Sequence, residues 1–281
     1  RVLNASWGSG AAQAGLAGSR ALGFAGPSSF DVDADGTVTL LDQVNRRAER
    51  WARGRVEAVP LSVSGGLADF AVEPDGTMDV LEPPNRLTPA PLLRSFRSDG
   101  TPKWTQRLAD RTWSKLALGP EGPTVQQQPS EQWLPTAERG TALDRGAQAA
   151  RGRPGRPVGH GRELVVDRVG TAELRVAEVA GNVVLRGWRV TSTTPLGEVP
   201  LAEPRGAGIV VVLKTYTDER AEYVVLVLRR GGVAERFAVA PSEWAESAPL
   251  ARFRLVGPSL YQLGSTPAGA FVDRFDLKEL R

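Results

Sequence analysis

Along most of this chain, apolar and polar residues alternate with a period of two, in short runs bounded by Gly, Pro and Asp. That pattern predicts short, half-buried β-strands joined by tight turns. In "AEYVVLVLRRGGVAERFAVA" (Ala221–Ala240) two such runs flank Gly231-Gly232, which predicts a hairpin, because glycine takes the positive φ that a two-residue turn requires. The most apolar segments, "GIVVVL" and "YVVLVL", have strand length and fall short of the roughly 18 residues of a membrane span. Amphipathic helical patterns are nearly absent, so under a tenth of the residues are expected in helix. The segment from Glu138 to Arg156 is rich in Gly, Ala and Arg and poor in large apolar residues, and reads as a long connecting loop.

The strands repeat. "FDVDADGTVTLLDQVNR" (Phe30–Arg46) lies over "FAVEPDGTMDVLEPPNR" (Phe70–Arg86) without a gap. Weaker copies begin at Trp113, Arg162, Ala207 and Gly257. Phe30, Phe70, Leu116, Leu164, Val211 and Leu260, taken as equivalent inner-strand positions, are spaced by 40, 46, 48, 47 and 49 residues. Those periods match a four-stranded propeller blade. The sixth unit supplies three strands, "ARFRLVG", "SLYQLGST" and "AGAFVDRFDL", while the N-terminus supplies an orphan strand, "RVLNASWG". An open sheet edge invites aggregation. The expected fold is therefore all-β: a six-bladed β-propeller, one domain over residues 1–281, with "VLNASW" as the outermost strand of the last blade.

One stretch of the repeat permits a second reading. Asp31, Asp33 and Asp35 precede Gly36, and Asp42 stands twelve positions from the first, close to the donor spacing of a calcium loop. The second copy keeps Asp75-Gly76 but has Ala71 and Glu73-Pro74 in place of Asp31 and Asp33-Ala34. What survives is what a turn needs. Asp35-Gly36 and Asp75-Gly76 are therefore expected in hairpin turns with no metal at the first, and Asp31, Asp33 and Asp35 remain the only metal candidates. Asp42 is expected to pair with Arg46 or Arg47 within its blade.

Composition narrows the chemistry. The chain has 281 residues and no cysteine, which excludes disulfides, thiolate metal sites and a cysteine nucleophile. It also suits bacterial export, and the first residue is Arg, as expected of a processed or trimmed chain. A unit of this size buries roughly three quarters of its unfolded surface and needs no metal staple. Only four of the 35 basic residues are Lys, and the arginines interleave with 32 acids, giving a net charge of +3. A nucleic-acid surface needs concentrated positive charge, so no nucleic-acid partner is expected. His160 is the only histidine, which rules out multi-histidine metal sites within one chain and leaves any Ser-His-Asp triad dependent on a residue in the loop-like "RPVGHGRE". The seven tryptophans recur at roughly blade spacing. They read as packing between blades, with an aromatic sugar- or peptide-binding surface as the alternative.

"FDVDADGTVTLLDQVNRRAERW" resembles the blade of the NHL-repeat family: a strand, a "DPDG"-like hairpin, a second strand, then "D…N.R" and a short strand with an aromatic end. Asp42, Asn45 and Arg46 or Arg47 match the latter part. "SWGSGAAQAGLAGSRALGFAGP" is similar to the family's glycine-rich lead-in. The match covers residues 7–90. It implies a propeller, and it leaves function open, because such propellers serve as secreted scaffolds, as protein- and RNA-binding modules and as enzymes. Histidine-dependent propeller enzymes are excluded by composition. The expected function is a non-catalytic, secreted or cell-surface scaffold with protein partners, no cofactor and no membrane span. The alternative is a calcium-dependent hydrolase of lactonase type, which would need three or more inward Asp, Glu or Asn side chains.

Overall fold

The computed structural model describes all residues except 22, 64–66, 68, 85–88, 109–111, 120–121, 129–131, 139–140, 143–153, 217–220, 246–250 and 279–281. Every described element is a strand, and none of the described residues is helical. Six sheets of three to five strands follow one another along the chain, one per blade. The fold class is the six-bladed β-propeller. Asn85 and Arg86 of the second repeat, and most of the predicted loop from Glu138 to Arg156, lie outside the described residues. Contacts group the chain into two units, Arg1–Gly152 with Ser242–Phe275, and Arg153–Pro241 with Asp276–Arg281.

The first unit holds blades one, two, three and six. Blade one runs Ser29–Val32, Val38–Asp42, Arg47–Ala52 and Arg55–Pro60, each strand antiparallel to the one before. Blade two repeats this with Asp69–Val72, Met78–Glu82, Leu92–Phe96 and Pro102–Arg107. Blade three is described over Thr112–Gly119, Gly122–Gln128 and Trp133–Pro135. Successive side chains on a strand point to opposite faces, and the second strands are buried on both. Val38 and Leu40 pack with Phe30 and with Leu263 and Val272 of blade six, whereas Leu41 packs with Phe70, Met78 and Val80 of blade two. On its other face blade two contributes Ala71, Leu81 and Leu93 to a cluster with Leu116, Val125 and Leu134 of blade three. Each fully buried Leu or Phe in these interfaces contributes about 2 kcal/mol.

The two Asp-Gly pairs form the predicted turns. Asp33 N–H donates to the Thr37 carbonyl and Gly36 N–H to the Asp33 carbonyl, both at 2.9 Å. Asp35 Oδ1 accepts from Thr37 N–H at 3.0 Å. Gly36 takes φ +87°, which an L side chain would strain. Glu73, Asp75, Gly76 and Thr77 reproduce all of this, with Gly76 at φ +82°. A third copy, unforeseen from the sequence, joins the last two strands of blade two through Arg97, Asp99, Gly100 and Thr101.

Blade six comprises Phe253–Val256, Ser259–Thr266 and Gly269–Asp276, and its fourth strand is Leu3–Trp7 from the N-terminus. Leu3 lies opposite Val272 and Ser6 opposite Gly269. Chain counting thus foresaw the closure. The N-terminal strand is not quite outermost, because Gln13–Ala14 adds a short parallel pairing on its outer side. Gly269 is required here: a Cβ would sit 2.0 Å from the Ala5 carbonyl oxygen.

The second unit holds blades four and five. Blade four runs Arg156–Gly159, Arg162–Arg168, Glu173–Ala180 and Val183–Thr191, and blade five Leu201–Arg205, Gly208–Tyr216, Ala221–Arg229 and Gly232–Val239. Leu164, Leu174 and Val176 of blade four share a core with Ile209, Val211 and Leu226 of blade five. The expected hairpin forms, but its two-residue turn is Arg230-Gly231, one position earlier than expected: Arg229 lies opposite Gly232, which opens the second strand.

One sequence equivalence needs correction. Phe30, Phe70 and Leu116 do lie on first strands, but Leu164, Val211 and Leu260 lie on second strands. In blades five and six the second strands are buried on both faces and so carry strong apolar runs, and in blade four the buried Glu163-Leu164 pair lies on the second strand. In the diverged blades that signal captures the alignment one strand too late.

Candidate functional site

In the first unit the first strands of blades six, one, two and three are neighbours in that order. Polar groups from the first strands of blades one and two converge on Arg254, in the first strand of blade six. Its Nη2 donates to the Phe70 carbonyl at 2.9 Å, to Asp69 Oδ1 at 3.3 Å and to Ser29 Oγ at 3.4 Å. Its Nε stands 3.6 Å from Asp31 Oδ1. One guanidinium therefore spans three strands.

The two carboxylates do the same work in amide hydrogen bonds. Asp31 accepts from its own neighbour Val32 N–H at 2.9 Å and, across the blade boundary, from Val72 N–H at 2.7 Å. Asp69 accepts from Phe70 N–H at 2.8 Å and, across the next boundary, from Leu116 N–H at 2.8 Å. Ser29 Oγ adds a 2.6 Å donation to Asp69. Each Asp thus links its own strand to the first strand of the following blade. Such charge-assisted bonds are about twice as strong as neutral ones, and they satisfy backbone amides that would otherwise be stranded at a boundary.

The calcium-loop residues go to separate tasks. Asp31 belongs to this clamp, and burial pushes its carboxyl above the ordinary value in spite of Arg254. Burial also raises Asp33, with Asp31 and Asp35 adding to the effect. Asp35 caps the turn, and the Thr37 amide holds its carboxyl below the ordinary value. Asp42, fully buried, accepts from Gly15 N–H, Asn45 N–H, Asn45 Nδ2 and Arg47 Nε at 2.7–3.2 Å. Arg47 is thus its basic partner. Arg46 occupies the preceding turn at φ +55°. Arg47 further donates to the carbonyls of Ser9, Gly10 and Gln13, so the "D…N.R" residues bind the glycine-rich lead-in to blade one. Among the described residues, no three acids or histidines stand close enough together to hold a metal ion.

The donor set at Arg254 does not suit calcium. That ion takes roughly six to eight oxygen ligands, whereas here the oxygens already accept amide hydrogens and face a guanidinium that repels a cation. His160 sits exposed in the two-residue turn between Arg156–Gly159 and Arg162–Arg168, at φ +55°. Trp7 and Trp51 pack on the core shared by blades six and one, Trp104 on that of blades two and three, and Trp188 on that of blades four and five. Trp244 stacks on Phe24 at 4.7 Å and lies 6.1 Å from Trp7.

Arg254 and Asp69 had no sequence signal of their own. Asp69 aligns with Ser29 forty residues earlier, and that change beside a Phe present in both copies was the only hint.

No family model matches the chain, and no curated protein does. Among solved structures it is similar to a protein of unknown function from Bacteroides caccae, with 11% identity and a TM-score of 0.46, over 76% of this chain and 82% of that one. It is similar also to virginiamycin B lyase from Staphylococcus aureus, at 7% identity and TM-score 0.45, over 90% and 95% of the two chains. A gluconolactonase from Xanthomonas campestris follows at 17% identity and TM-score 0.34, over 86% and 69%. Likenesses at this level carry no inference about activity.

Proposed function

We propose that this chain is a non-catalytic interaction module of NHL-repeat type, exported from a bacterium and assembled with protein partners at the cell surface or outside it. One observation carries the reading. The polar groups that a propeller hydrolase would turn toward a substrate or a calcium ion are spent here on structure: Asp31 and Asp69 hold backbone amides of the next blade, and Arg254 neutralises them. The "D…N.R" network supports the NHL-like reading, since it fastens the lead-in as a repeat element would. The lack of cysteine is compatible with export.

The test is a hydrolysis assay on a panel of aliphatic and sugar lactones, with and without millimolar calcium. The expected result is no turnover above buffer under either condition. Calcium-dependent turnover that disappears in Asp31→Asn would overturn the proposal in favour of the lactonase-type hydrolase.

A further inference from the structure

The outer strand of blade four, Val183–Thr191, differs from the other outer strands described. It pairs with Glu173–Ala180 on one side and with no described strand on the other. After the turn at Gly181-Asn182, Val183, Val184 and Leu185 are 61%, 64% and 50% exposed. A regular strand would turn alternate residues inward. Here Val184 lies opposite Val179 and Arg186 opposite Glu178, so Leu185 is an extra, bulged residue and all three aliphatic side chains reach solvent. Other outer edges carry residues that discourage a further strand. Arg55–Pro60 has Glu57 and Pro60, Pro102–Arg107 has Pro102 and Lys103, and Gly232–Val239 has Glu235. Leu3–Trp7 is flanked by Gln13–Ala14. Val183–Thr191 has no Pro, no Lys and no acid.

We propose that this edge is a docking site for an extended acidic peptide segment of a partner protein, added as a further antiparallel strand. The inference rests on the interaction-module reading above and names its partner class. Main-chain bonds along Arg186–Thr191 supply the pairing, and aliphatic side chains of the incoming strand cover Val183, Val184 and Leu185. Charge chooses the occupant. The only charged residues on the strand are Arg186 and Arg189. Arg189, whose side chain is 67% exposed, shares the single carboxylate of Glu173 with Arg175, which is 60% exposed. Arg186 in turn shares Glu178 with Arg162, and Asp167 lies opposite Arg175. Four arginines against these three acids leave a positive surplus beside the edge, which no described strand covers, and a partner carboxylate would be attracted there. A second copy of the chain would set two arginine-bearing strands side by side with no acid on either strand, which disfavours a homotypic strand pair. In the antiparallel sense the partner's acidic residues come first and its aliphatic residues follow a few positions later.

The probe is a capped peptide with its Glu residues first and Val, Val and Leu a few positions later, compared with its Lys-for-Glu counterpart, by fluorescence anisotropy and by amide hydrogen exchange on the intact chain. The Glu peptide should bind about ten-fold or more tighter than the Lys peptide and slow exchange across residues 183–191. Binding should be lost in the Val184→Ser/Leu185→Ser double variant, whose neutral changes fall on exposed positions, and Arg189→Glu should reverse the preference. Binding that survives the double variant, or no binding of either peptide, would overturn the proposal. So would a concentration-dependent dimer that the double variant abolishes, since that makes a second copy the occupant. Each of these outcomes leaves the non-catalytic reading intact, because the lactone assay decides that separately.

Discussion

Asp79 lies on the second strand of blade two, opposite Ala71 on one side and Ser95 on the other. It is fully buried, and neither carboxylate oxygen accepts a well-formed hydrogen bond. Burial, with the negative charge of Glu73 adding to it, pushes its carboxyl from 3.8 up to about 7, while the Ser95 hydroxyl and Lys103 pull the other way. Between those values the folded state keeps a proton that the unfolded chain has released. Stability from this group is therefore fully present below about pH 4, falls as the pH rises toward about 7, and is level above that. About three pKa units at 1.36 kcal/mol each make the loss about 4 kcal/mol at most. Asp79→Asn keeps the shape and removes the ionisation. At about pH 8 the variant should be more stable than the parent by up to ~4 kcal/mol, and at about pH 4 the two should agree to within ~1 kcal/mol. Urea unfolding at a series of pH values, with equal slopes in both proteins, measures this directly. Glu49, which burial also raises to about 7, contributes the same slope to both proteins and cancels in the difference. An Asp79→Asn protein with the parent's pH dependence, or one equally destabilised at both ends, would refute the reasoning.

Arg254→Ala should destabilise the chain by about 3 kcal/mol, because it strands the buried Asp69 charge; calorimetry checks this, and an unchanged melting temperature would make the cluster decorative. Gly36→Ala and Gly76→Ala should each lower stability by about 1–2 kcal/mol through forced positive φ, read from urea midpoints. Deleting Arg1–Gly8 removes Leu3 and Ala5 from the core and exposes the edge of Gly269–Asp276. It should lower the melting temperature clearly and cause aggregation on light scattering. A truncated chain that melts with the parent and stays monomeric would show closure by other means.

What the sequence disclosed and what it hid follow from the range of the interactions. Asp35-Gly36 and Asp75-Gly76 were legible because a turn is local chemistry: a carboxylate two residues before its amide, and a glycine that tolerates positive φ. The same logic applies to Asp99-Gly100, which escaped notice because it joins the last two strands of a blade, where the forty-residue comparison had no counterpart. Closure by Leu3–Trp7 was legible by counting strands. Whether Arg46 or Arg47 would meet Asp42 stayed open, because the answer depends on how many residues the turn consumes. The clamp was invisible: Arg254 and Asp69 are 185 residues apart, and nothing beside either marks the other. Asp79 looked like any polar residue of an alternating strand, and its burial on the face toward blade three appears only when the sheets are packed.

The central claim is that the first-strand carboxylates hold blades together and do not serve a metal or a substrate. Thermal unfolding of the parent, Asp31→Asn and Asp69→Asn, each with and without millimolar calcium, tests it most directly. Both variants should melt below the parent, and calcium should shift none of the three. A parent whose melting temperature rises with calcium, with variants that lose this rise yet match the parent in its absence, would contradict the claim.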